Sequence, residues 1–249
     1  MLQDQVDQFS VFYENEREFR GLVREIFRDN TYYFELDPAF APVDDKDVDG
    51  QKATAGKPVI LDLGAHIGLS TLYFKKLYPQ AKIFAVEPNP HAFEILKTNI
   101  EVNHLEDVMV LPVAVSDQTG KRELFLDSTK DKWHSTASFS QKAWDGSDED
   151  NESVQVETVR LQDLVHGPID FLKLDVEGAE QDILMSSTEA LEKINHIIFE
   201  YHPVSGNNLQ ELGHFLKDND FKVSVYKHGD EIPLDKSRGL VLVEAVKNF

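Results

Sequence analysis

The feature that most constrains this chain is a glycine-containing turn that follows a short apolar run. The run VILDL at residues 59–63 predicts a buried strand, and residues 70–78 repeat apolar side chains at helical spacing. Between them, the turn has Gly64 and Gly68 where the backbone bends tightly and a ligand can approach it closely. The pattern predicts a nucleotide-like ligand at a strand–helix junction, with a plain connecting turn as the alternative.

The segments after this turn continue the alternation of strands and helices. Apolar runs at residues 83–86 and 108–111 predict two more strands, with a helix over residues 90–103 between them. Later patterns predict strands over residues 122–126, 154–159, 170–174, 194–201, 221–226 and 240–246, and helices over residues 178–186 and 209–218. This order is typical of a doubly wound α/β sheet, and we expect one domain over residues 58–249.

Residues 1–57 are predicted to form a helical extension and a linker ahead of that domain. Apolar positions recur at roughly helical spacing over residues 9–29, and residues 31–36 predict a short strand. Residues 44–57 are acidic and aperiodic, which is typical of a loop. Three tyrosines are candidates to cap a ligand pocket, with simple packing as the alternative: Tyr13, Tyr32 and Tyr33.

The composition excludes several classes of protein. The formal net charge of −20, with no cluster of lysine and arginine, disfavours a nucleic-acid partner. The absence of cysteine excludes disulfides, thiolate metal sites and a cysteine nucleophile. The N-terminus lacks the pattern of a signal peptide, and no apolar stretch approaches the ~20 residues that span a bilayer. We therefore expect a cytoplasmic protein without a membrane partner, whose oligomeric state the sequence does not determine.

An acidic residue at the end of the second strand narrows the choice of ligand. Glu87 follows the strand at residues 83–86, where a carboxylate can accept hydrogen bonds from both ribose hydroxyls. Nicotinamide-dependent oxidoreductases share this arrangement and are an alternative. Their G-x-G-x-x-G turn seats a pyrophosphate, whereas here Asp62 leads the turn and His66 replaces its middle glycine. A carboxylate suits the ammonium and sulfonium of S-adenosylmethionine (SAM) better.

Three blocks of sequence resemble the FkbM-type methyltransferases, a family of SAM-dependent O-methyltransferases. The blocks are LDLGAHIGLST at residues 61–71 with AVEPNP at 85–90, VAVSD at 113–117 followed by Gly120, and FLKLDVEGAE at 171–180 with FEYH at 199–202. The third block is the most specific, since generic SAM enzymes lack it. The resemblance implies an α/β, Rossmann-like, seven-stranded class I SAM methyltransferase fold, with a mostly parallel sheet and an antiparallel last strand.

The resemblance also implies which residues surround the cofactor. The turn would wrap the methionine moiety, Glu87 would hold the ribose, and two further segments would border the adenosine. Asp175 would face the cofactor's amino group or the substrate, while His66 would shape the turn. The implied cofactor-binding residues are Asp62, Gly64, Ala65, His66, Gly68, Glu87, Pro88, Asn89, Ala114, Val115, Ser116 and Asp175.

Methyl transfer needs alignment, exclusion of water and often a base for the acceptor hydroxyl. Asp175, Glu177 and Glu180 follow a predicted strand, so Glu177 can take the proton or pair with Asp175 on a divalent cation. Favourable charge at the start of the next helix is the alternative for Glu177 and Glu180. Glu200 and His202 share one face of the following strand, and His202 has the intrinsic pKa of a general base. A structural hydrogen bond is the alternative for His202.

The acceptor is expected to bind near the irregular middle of the chain. Trp133, His134 and residues 135–138 are candidates for an acceptor-binding loop, and the acidic run at residues 148–152 is predicted to be a solvated loop. The predicted function is SAM-dependent methylation of a hydroxyl on a small molecule, such as a sugar or a secondary metabolite. The alternatives are an N-methyltransferase or protein methyltransferase, a nucleotide-dependent oxidoreductase, and a catalytically silent SAM-fold binding module.

Overall fold

A computed structural model describes residues 1–36, 57–126, 137–139 and 152–248 of the chain. Several sequence predictions fall outside these described residues: Trp133, His134 and residues 135–136 of the acceptor loop, residues 148–151 of the acidic run, and residues 44–56 of the linker. Within the described residues, no helix is long and apolar enough to cross a membrane.

The chain begins with a β-hairpin, so the prediction of a helix starting at Phe9 was wrong. Strands β1 (Leu2–Val6) and β2 (Phe9–Tyr13) pair antiparallel, and alternate residues of β2 are buried. Five residues are too few to distinguish a period of two from a helical period. Helix α1 (Glu16–Val23) follows and continues into a π-helical turn, Arg24–Arg28.

The strand predicted at residues 31–36 is not formed. These residues make a turn and then a stretch without strand pairing, in which Tyr32 and Phe34 are buried. The Phe34 ring stacks on Phe171 with 3.6 Å between ring centroids, and Phe171 belongs to the central sheet. The aromatic side chains therefore reflect packing against the core rather than pairing with another strand.

The central sheet has eight strands among the described residues. In chain order, the remaining strands of the protein are β3 (Val59–Leu63), β4 (Lys82–Val86), β5 (Val108–Leu111), β6 (Ala114–Ser116), β7 (Gly120–Leu126), β8 (Ala137–Ser138), β9 (Glu152–Arg160), β10 (Phe171–Leu174), β11 (His196–Tyr201), β12 (Phe221–Lys227), β13 (Asp230–Ile232) and β14 (Val241–Lys247). The order in the sheet is β13-β12-β14-β11-β10-β3-β4-β5. Strands β5, β4, β3, β10 and β11 are parallel, and β14 is antiparallel to both of its neighbours.

This arrangement confirms the predicted mostly parallel sheet with an antiparallel last strand, to which β13 adds an edge strand. The other helices are α2 (Leu69–Leu77), α3 (Pro90–Val102), α4 (Leu161–Leu164), α5 (Glu180–Met185), α6 (Thr188–Leu191) and α7 (Leu209–Asp218), with a 3₁₀ turn at Leu234–Lys236. The central strands β3 and β10 are apolar and buried on both faces, as expected for a parallel sheet covered by helices.

A second, four-stranded sheet lies beside the central one in the order β6-β9-β7-β8. Strands β7 and β9 pair antiparallel over their length, and β6 pairs parallel with β9. Because β6 follows β5 after only two residues, this sheet begins at the carboxyl edge of the central sheet. It therefore supplies a wall for any ligand bound at that edge.

The N-terminal hairpin is attached to the core through two asparagines of α3. Asn99 accepts a hydrogen bond from the Phe12 N–H at 2.7 Å and donates to the Phe12 carbonyl at 3.0 Å. Asn103 makes the same pair of bonds with Ser10, each at 2.8 Å. The two amide side chains thus pair with the free edge of β2 as a neighbouring strand would, and hold the N-terminal segment against the domain.

Candidate active site

A cavity lies at the carboxyl ends of β3, β4 and β10, where open α/β sheets bind ligands. Of the residues predicted to bind a cofactor, eight line this cavity: Gly64, Ala65, His66, Glu87, Pro88, Ala114, Val115 and Asp175. The other four are close in sequence but do not line it: Asp62, Gly68, Asn89 and Ser116. The N-terminal segment also lines the cavity, through Glu18, Leu22, Glu25, Ile26 and Tyr32.

The turn after β3 has the left-handed backbone that its glycines predict. Gly64 has φ +75°, and a Cβ atom there would lie 1.8 Å from the Asp175 carbonyl oxygen. Gly68 has φ +94° and begins α2, and a Cβ atom would meet Leu96 Cδ1 at 2.7 Å. His66 also has a positive φ, of 51°, which costs energy for a residue with a side chain. The chain therefore keeps a strained conformation where it lines the cavity.

Asp62 orders the start of α2 from inside the protein. Its buried carboxylate accepts hydrogen bonds from Ser70 Oγ at 2.7 Å and Thr71 Oγ1 at 2.6 Å. Because Asp62 does not line the cavity, its geometry supports an indirect effect on a ligand, through the position of the turn.

Lys173 is a site residue that the sequence predictions missed. Its buried ammonium donates to the Gly64 carbonyl at 2.5 Å and lies 3.6 Å from Asp62 Oδ1 and 3.5 Å from Asp175 Oδ2. Burial alone lowers the pKa of Lys173, but the charges of Asp175 and Asp62 outweigh it and raise the pKa. A lysine inside the apolar strand β10 was the sequence signal, since a buried ammonium requires anionic partners.

Glu87 reaches the cavity from the end of β4. Its carboxylate is buried and accepts hydrogen bonds from the backbone N–H groups of His66 and Asn89, both at 2.8 Å. Burial raises the pKa of Glu87 to about 7, despite these two bonds. Asn89 caps helix α3 by accepting from the His91 N–H at 3.0 Å, and Ser116 Oγ donates to Asp117. Asn89 and Ser116 therefore stabilise the segments next to the cavity without lining it themselves.

His202 carries a proton between two glutamates. Its Nδ1 lies 3.1 Å from Glu180 Oε1 and its Nε2 lies 3.4 Å from Glu177 Oε2. Burial opposes the charged ring, but the hydrogen bond to Glu180 and the charge of Glu177 raise the pKa of His202 to about 10. The ring is protonated at neutral pH, so the structure does not favour the predicted role of His202 as a general base.

Glu177 and Glu180 have different surroundings. Glu180 is completely buried, and its Oε1 accepts from the backbone N–H groups of Val176 and Gly178 at 3.3 and 3.0 Å. Glu177 lines the cavity with a left-handed φ of 55°. Burial raises the pKa of Glu177 to about 7, although the charge of His202 lowers it. Glu180 therefore shapes the turn, whereas Glu177 faces the cavity.

Glu200, in the central sheet, is hydrogen-bonded to the N-terminal segment. The Tyr32 hydroxyl donates to Glu200 Oε1 at 2.6 Å and lies 3.4 Å from Asp175 Oδ2. Burial, together with the charges of Asp175 and Glu25, raises the pKa of Glu200 to about 8. Burial also raises the pKa of Glu25, although its interaction with Glu200 lowers it. Sequence reasoning missed Glu25, which carries no local signal of a ligand site.

Of the three tyrosines considered as pocket caps, only Tyr32 lines the cavity. Tyr13 stacks on Phe19 with 4.0 Å between ring centroids, which is the packing role given as its alternative. Tyr33 is exposed and hydrogen-bonded to Glu35. Ser138, the described end of the predicted acceptor loop, donates to the Glu177 carbonyl at 2.8 Å.

Asp175, Glu200 and His202 each have one ligand-type atom within 4.8 Å of the others. This set differs from the predicted metal pair, because it contains Glu200 and His202 instead of Glu177. Each member already has a partner in the protein: Lys173 for Asp175, Tyr32 for Glu200 and Glu180 for His202. We assign no metal to this cluster, and the divalent cation stays a prediction.

The fold is that of the Rossmann-like class I methyltransferases. The crystal structure of a methyltransferase FkbM from Methylobacillus flagellatus KT shares this fold, with a TM-score of 0.52 and 15% identity over 76% of this chain and 43% of that one. The model of the methyltransferase FkbM domain matches residues 62–223. The chain belongs to the FkbM methyltransferase family, and it is therefore a methyltransferase; membership implies SAM as the methyl donor.

Two relatives show how far the similarity extends along the chain. The 2-O-methyltransferase NoeI of Sinorhizobium fredii is 31% identical over 161 residues, which cover 58% of this chain and 63% of that protein. The 31-O-demethyl-FK506 methyltransferase FkbM of Streptomyces tacrolimicus is 28% identical over 243 residues, which cover 86% of each. The second similarity extends well beyond residues 62–223.

Proposed function

We propose that this protein transfers the methyl group of SAM to a hydroxyl oxygen of a small molecule. The observation that carries the proposal is the single cavity that joins the Gly64–His66 turn, Glu87 and Asp175 at the carboxyl edge of the sheet. Hydroxyl methylation is supported by the names of the two relatives, one a 2-O-methyltransferase and the other a methyltransferase for a 31-O-demethyl compound.

The cavity fits SAM by shape and by charge. The missing Cβ of Gly64 leaves backbone exposed for close approach, and Glu87 is placed to accept from the ribose hydroxyls. Ala114 and Val115 offer a small apolar wall for the adenine, and Asp175 offers a carboxylate to the amino group. When bound, SAM supplies a methyl group on a positively charged sulfur, ready for in-line displacement.

We assign to Glu177 the role of the base that takes the proton from the acceptor hydroxyl. Its carboxyl lines the cavity, and burial raises its pKa to about 7, so at neutral pH it exists in both the form that accepts a proton and the form that has one. The protonated His202 beside it stabilises the carboxylate between turnovers. Lys173 holds the Gly64 carbonyl and the Asp175 carboxylate, and thereby keeps the donor wall in place for alignment.

A neutral small molecule is the acceptor class that the charges support. Six carboxyl side chains line the cavity among the described residues, against one lysine, which disfavours an anionic acceptor such as a nucleic acid. A sugar or a hydroxylated secondary metabolite offers the neutral hydroxyl that Glu177 would serve. N-methylation and methylation of a protein are the competing outcomes of the test.

The test has two stages. Isothermal titration calorimetry with SAM and with NAD first establishes the donor, and binding of NAD without binding of SAM would exclude the proposal. Incubation with methyl-labelled SAM and a metabolite extract then identifies the labelled product by mass spectrometry. A labelled O-methyl product supports the proposal. A labelled amine or protein would reassign the acceptor, and SAM binding without any transfer would indicate a silent binding module.

The matched variant is Glu177→Gln. It should retain SAM affinity and lose turnover by about 100-fold or more, the usual contribution of a positioned base. Turnover should no longer increase with pH near 7, because the titrating group is gone. Glu189→Gln removes an exposed carboxylate from α6 and is the control, with wild-type turnover expected.

A further inference from the structure

The wall of the cavity contains two neighbouring carboxyl groups, here called the carboxyl pair, of which one comes from outside the family-matched region. Glu25 lies in the π-helical turn after α1, and Glu200 lies near the end of β11. Both side chains line the cavity, and they lie close enough for Glu200 to act on the pKa of Glu25, which burial raises. Since the matched region is residues 62–223, the N-terminal segment adds Glu25 to a site that the family blocks only partly describe.

The π-helical turn accounts for the position of Glu25. Insertions of this kind in an α-helix often occur at functional sites, because they redirect a side chain that a regular helix would place elsewhere. Tyr32 fixes the other member of the pair by donating to Glu200 Oε1 at 2.6 Å. The N-terminal segment therefore contributes Glu25 to the pair, and the central sheet contributes Glu200.

Acidic groups greatly outnumber basic groups on the cavity wall. The described titratable groups on its wall, apart from Tyr32 and His66, are the carboxyls of Glu18, Glu25, Glu87, Asp175, Glu177 and Glu200 and the ammonium of Lys173. His66 adds no positive charge at neutral pH, since burial lowers its pKa to about 4. Lys173 already lies between Asp62 and Asp175, and His202 between Glu177 and Glu180. Among the described residues, no ion pair within 4.0 Å is formed by Glu25 or Glu200. His202 and Lys173 act on them from a longer distance, and each of these cations is already paired with other carboxylates.

We propose that Glu25 and Glu200 select the cationic methyl donor over its neutral product. This inference rests on the proposed function, because it concerns SAM and S-adenosylhomocysteine (SAH). Methyl transfer breaks the sulfur–methyl bond and leaves the electron pair on sulfur, so a sulfonium becomes an uncharged thioether. A sulfonium beside this buried pair favours loss of the pair's proton and is attracted to the carboxylates that result, whereas a thioether gains little. The attraction is strong where water is excluded. The product is then released more readily than the donor.

The order of the strands is consistent with an interaction between the carboxyl pair and the sulfur of the donor. Glu87 marks the ribose end of the cavity at β4, and the strand order β4, β3, β10, β11 leads from there to Glu200. With Glu87 holding the ribose, the turn after β3 and Asp175 would hold the methionine end of the donor, which contains the sulfur, on the side of the cavity that also has the carboxyl pair. A cation placed there favours the charged forms of both carboxyls.

Calorimetry with SAM and SAH tests the proposal without an acceptor. The wild-type protein should bind SAM about 10-fold more tightly than SAH, the effect of one favourable charge interaction in a partly buried site. Glu25→Gln and Glu200→Gln should each lower this preference by about 3-fold or more, mainly through weaker SAM binding. Glu16→Gln removes an exposed carboxylate from α1, outside the cavity, and should leave the preference unchanged.

The outcomes separate the inference from the proposed function. Equal or tighter binding of SAH by the wild-type protein overturns the inference and leaves a SAM-dependent enzyme in place. If both variants keep the wild-type preference for SAM over SAH, the carboxyl pair does not cause that preference. Failure of both ligands to bind overturns the proposed function, and the inference with it. If circular dichroism shows that Glu25→Gln is unfolded, the wild-type ratio and Glu200→Gln decide the question.

Discussion

The carbonyl oxygen of Asp175 occupies the space where Gly64 would carry a side chain, 1.8 Å from an ideal Cβ position. Strands β3 and β10 are parallel neighbours with Leu63 opposite Leu174, so the two residues that follow them meet at the carboxyl edge of the sheet. The Gly64 N–H also donates to the Val86 carbonyl at 3.0 Å. The turn is thus fixed between β4 and β10.

Gly64→Ala should be strongly destabilising. The new methyl group collides with backbone that cannot move without separating β3 from β10, and alanine is disfavoured at φ +75° by about 1–2 kcal/mol before any collision. We expect a loss of more than about 2 kcal/mol in the free energy of unfolding, measured by urea denaturation. Gly21→Ala is the control, because it lies in α1 with nothing within 4 Å and should stabilise the helix slightly. Equal effects of the two changes would contradict the close contact.

Lys173→Met should cost about 3–5 kcal/mol of stability, because it leaves the buried carboxylate of Asp62 without its cation. Methionine keeps a similar length and an apolar stem, so the loss is mainly electrostatic. The double variant Asp62→Asn with Lys173→Met should recover part of the loss, since it removes both charges. Urea denaturation of Lys173→Met, Asp62→Asn and the double variant measures the coupling. Additive effects of the two single changes would indicate that Lys173 and Asp62 do not interact.

The parts of the site that were predictable from sequence depend on local patterns. The turn after β3 and Glu87 at the end of β4 follow from apolar runs, glycines and one acidic residue, all within about 30 residues. The doubly wound α/β class followed from the same alternation of strands and helices, whereas the mostly parallel sheet with an antiparallel last strand was implied by the family resemblance. Asp175 was implied by the family resemblance, and both Asp175 and Glu177 were candidates because they follow a predicted strand, although ordinary residues at the start of a helix share that position.

The N-terminal half of the cavity could not be predicted, because it depends on contacts between distant residues. Tyr32 and Glu200 are 168 positions apart, and Glu25 reaches the cavity through a π-helical turn that no period in the sequence indicates. His202 was assigned its unperturbed pKa, which the two flanking glutamates raise to about 10 only in the folded chain. Burial and charge partners, rather than residue type, decide such roles.

Glu87→Ala should weaken SAM binding by about 1–3 kcal/mol, because two ribose hydroxyls lose their acceptor in a buried position. Calorimetry measures the change, and Glu94→Gln on the exposed face of α3 is the control. Glu87→Gln should lose less than Glu87→Ala, because its amide oxygen still accepts one hydrogen bond. Wild-type SAM affinity in Glu87→Ala would move the ribose site elsewhere.

Asn99→Ala should loosen the N-terminal segment. Asn99 is completely buried and bonds to both backbone groups of Phe12 and to the Ile67 carbonyl, so truncation leaves buried polar groups unpaired at about 1–3 kcal/mol each. We expect faster amide hydrogen exchange over residues 8–30, with β10 and β11 unchanged. Thr98→Ala, on the exposed side of the same helix, is the control. Wild-type protection in Asn99→Ala would show that the hairpin is held by its apolar face alone.

Stability of the protein without a ligand should fall as pH rises from 5 toward 10. Glu87, Glu177 and Glu200 have pKa values of about 7, 7 and 8 in the folded chain, above their ordinary value of 4.5, so the folded state binds more protons between these limits. Stability therefore decreases through that window. The pKa of His202 is raised from 6.5 to about 10, so its contribution is complete below pH 6.5 and is lost toward pH 10.

Urea denaturation at pH 5.5, 7 and 8.5 measures this slope in the free energy of unfolding. Glu200→Gln should flatten the slope, because a neutral amide has no proton to lose in the buried position. Glu189→Gln, which removes an exposed carboxylate, should leave the slope as in the wild-type protein. SAM should stabilise the protein more at pH 8.5 than at pH 5.5, because a cationic ligand compensates the carboxylates that have lost their protons. Stability that rises with pH over this range would mean that these carboxyls are not buried together.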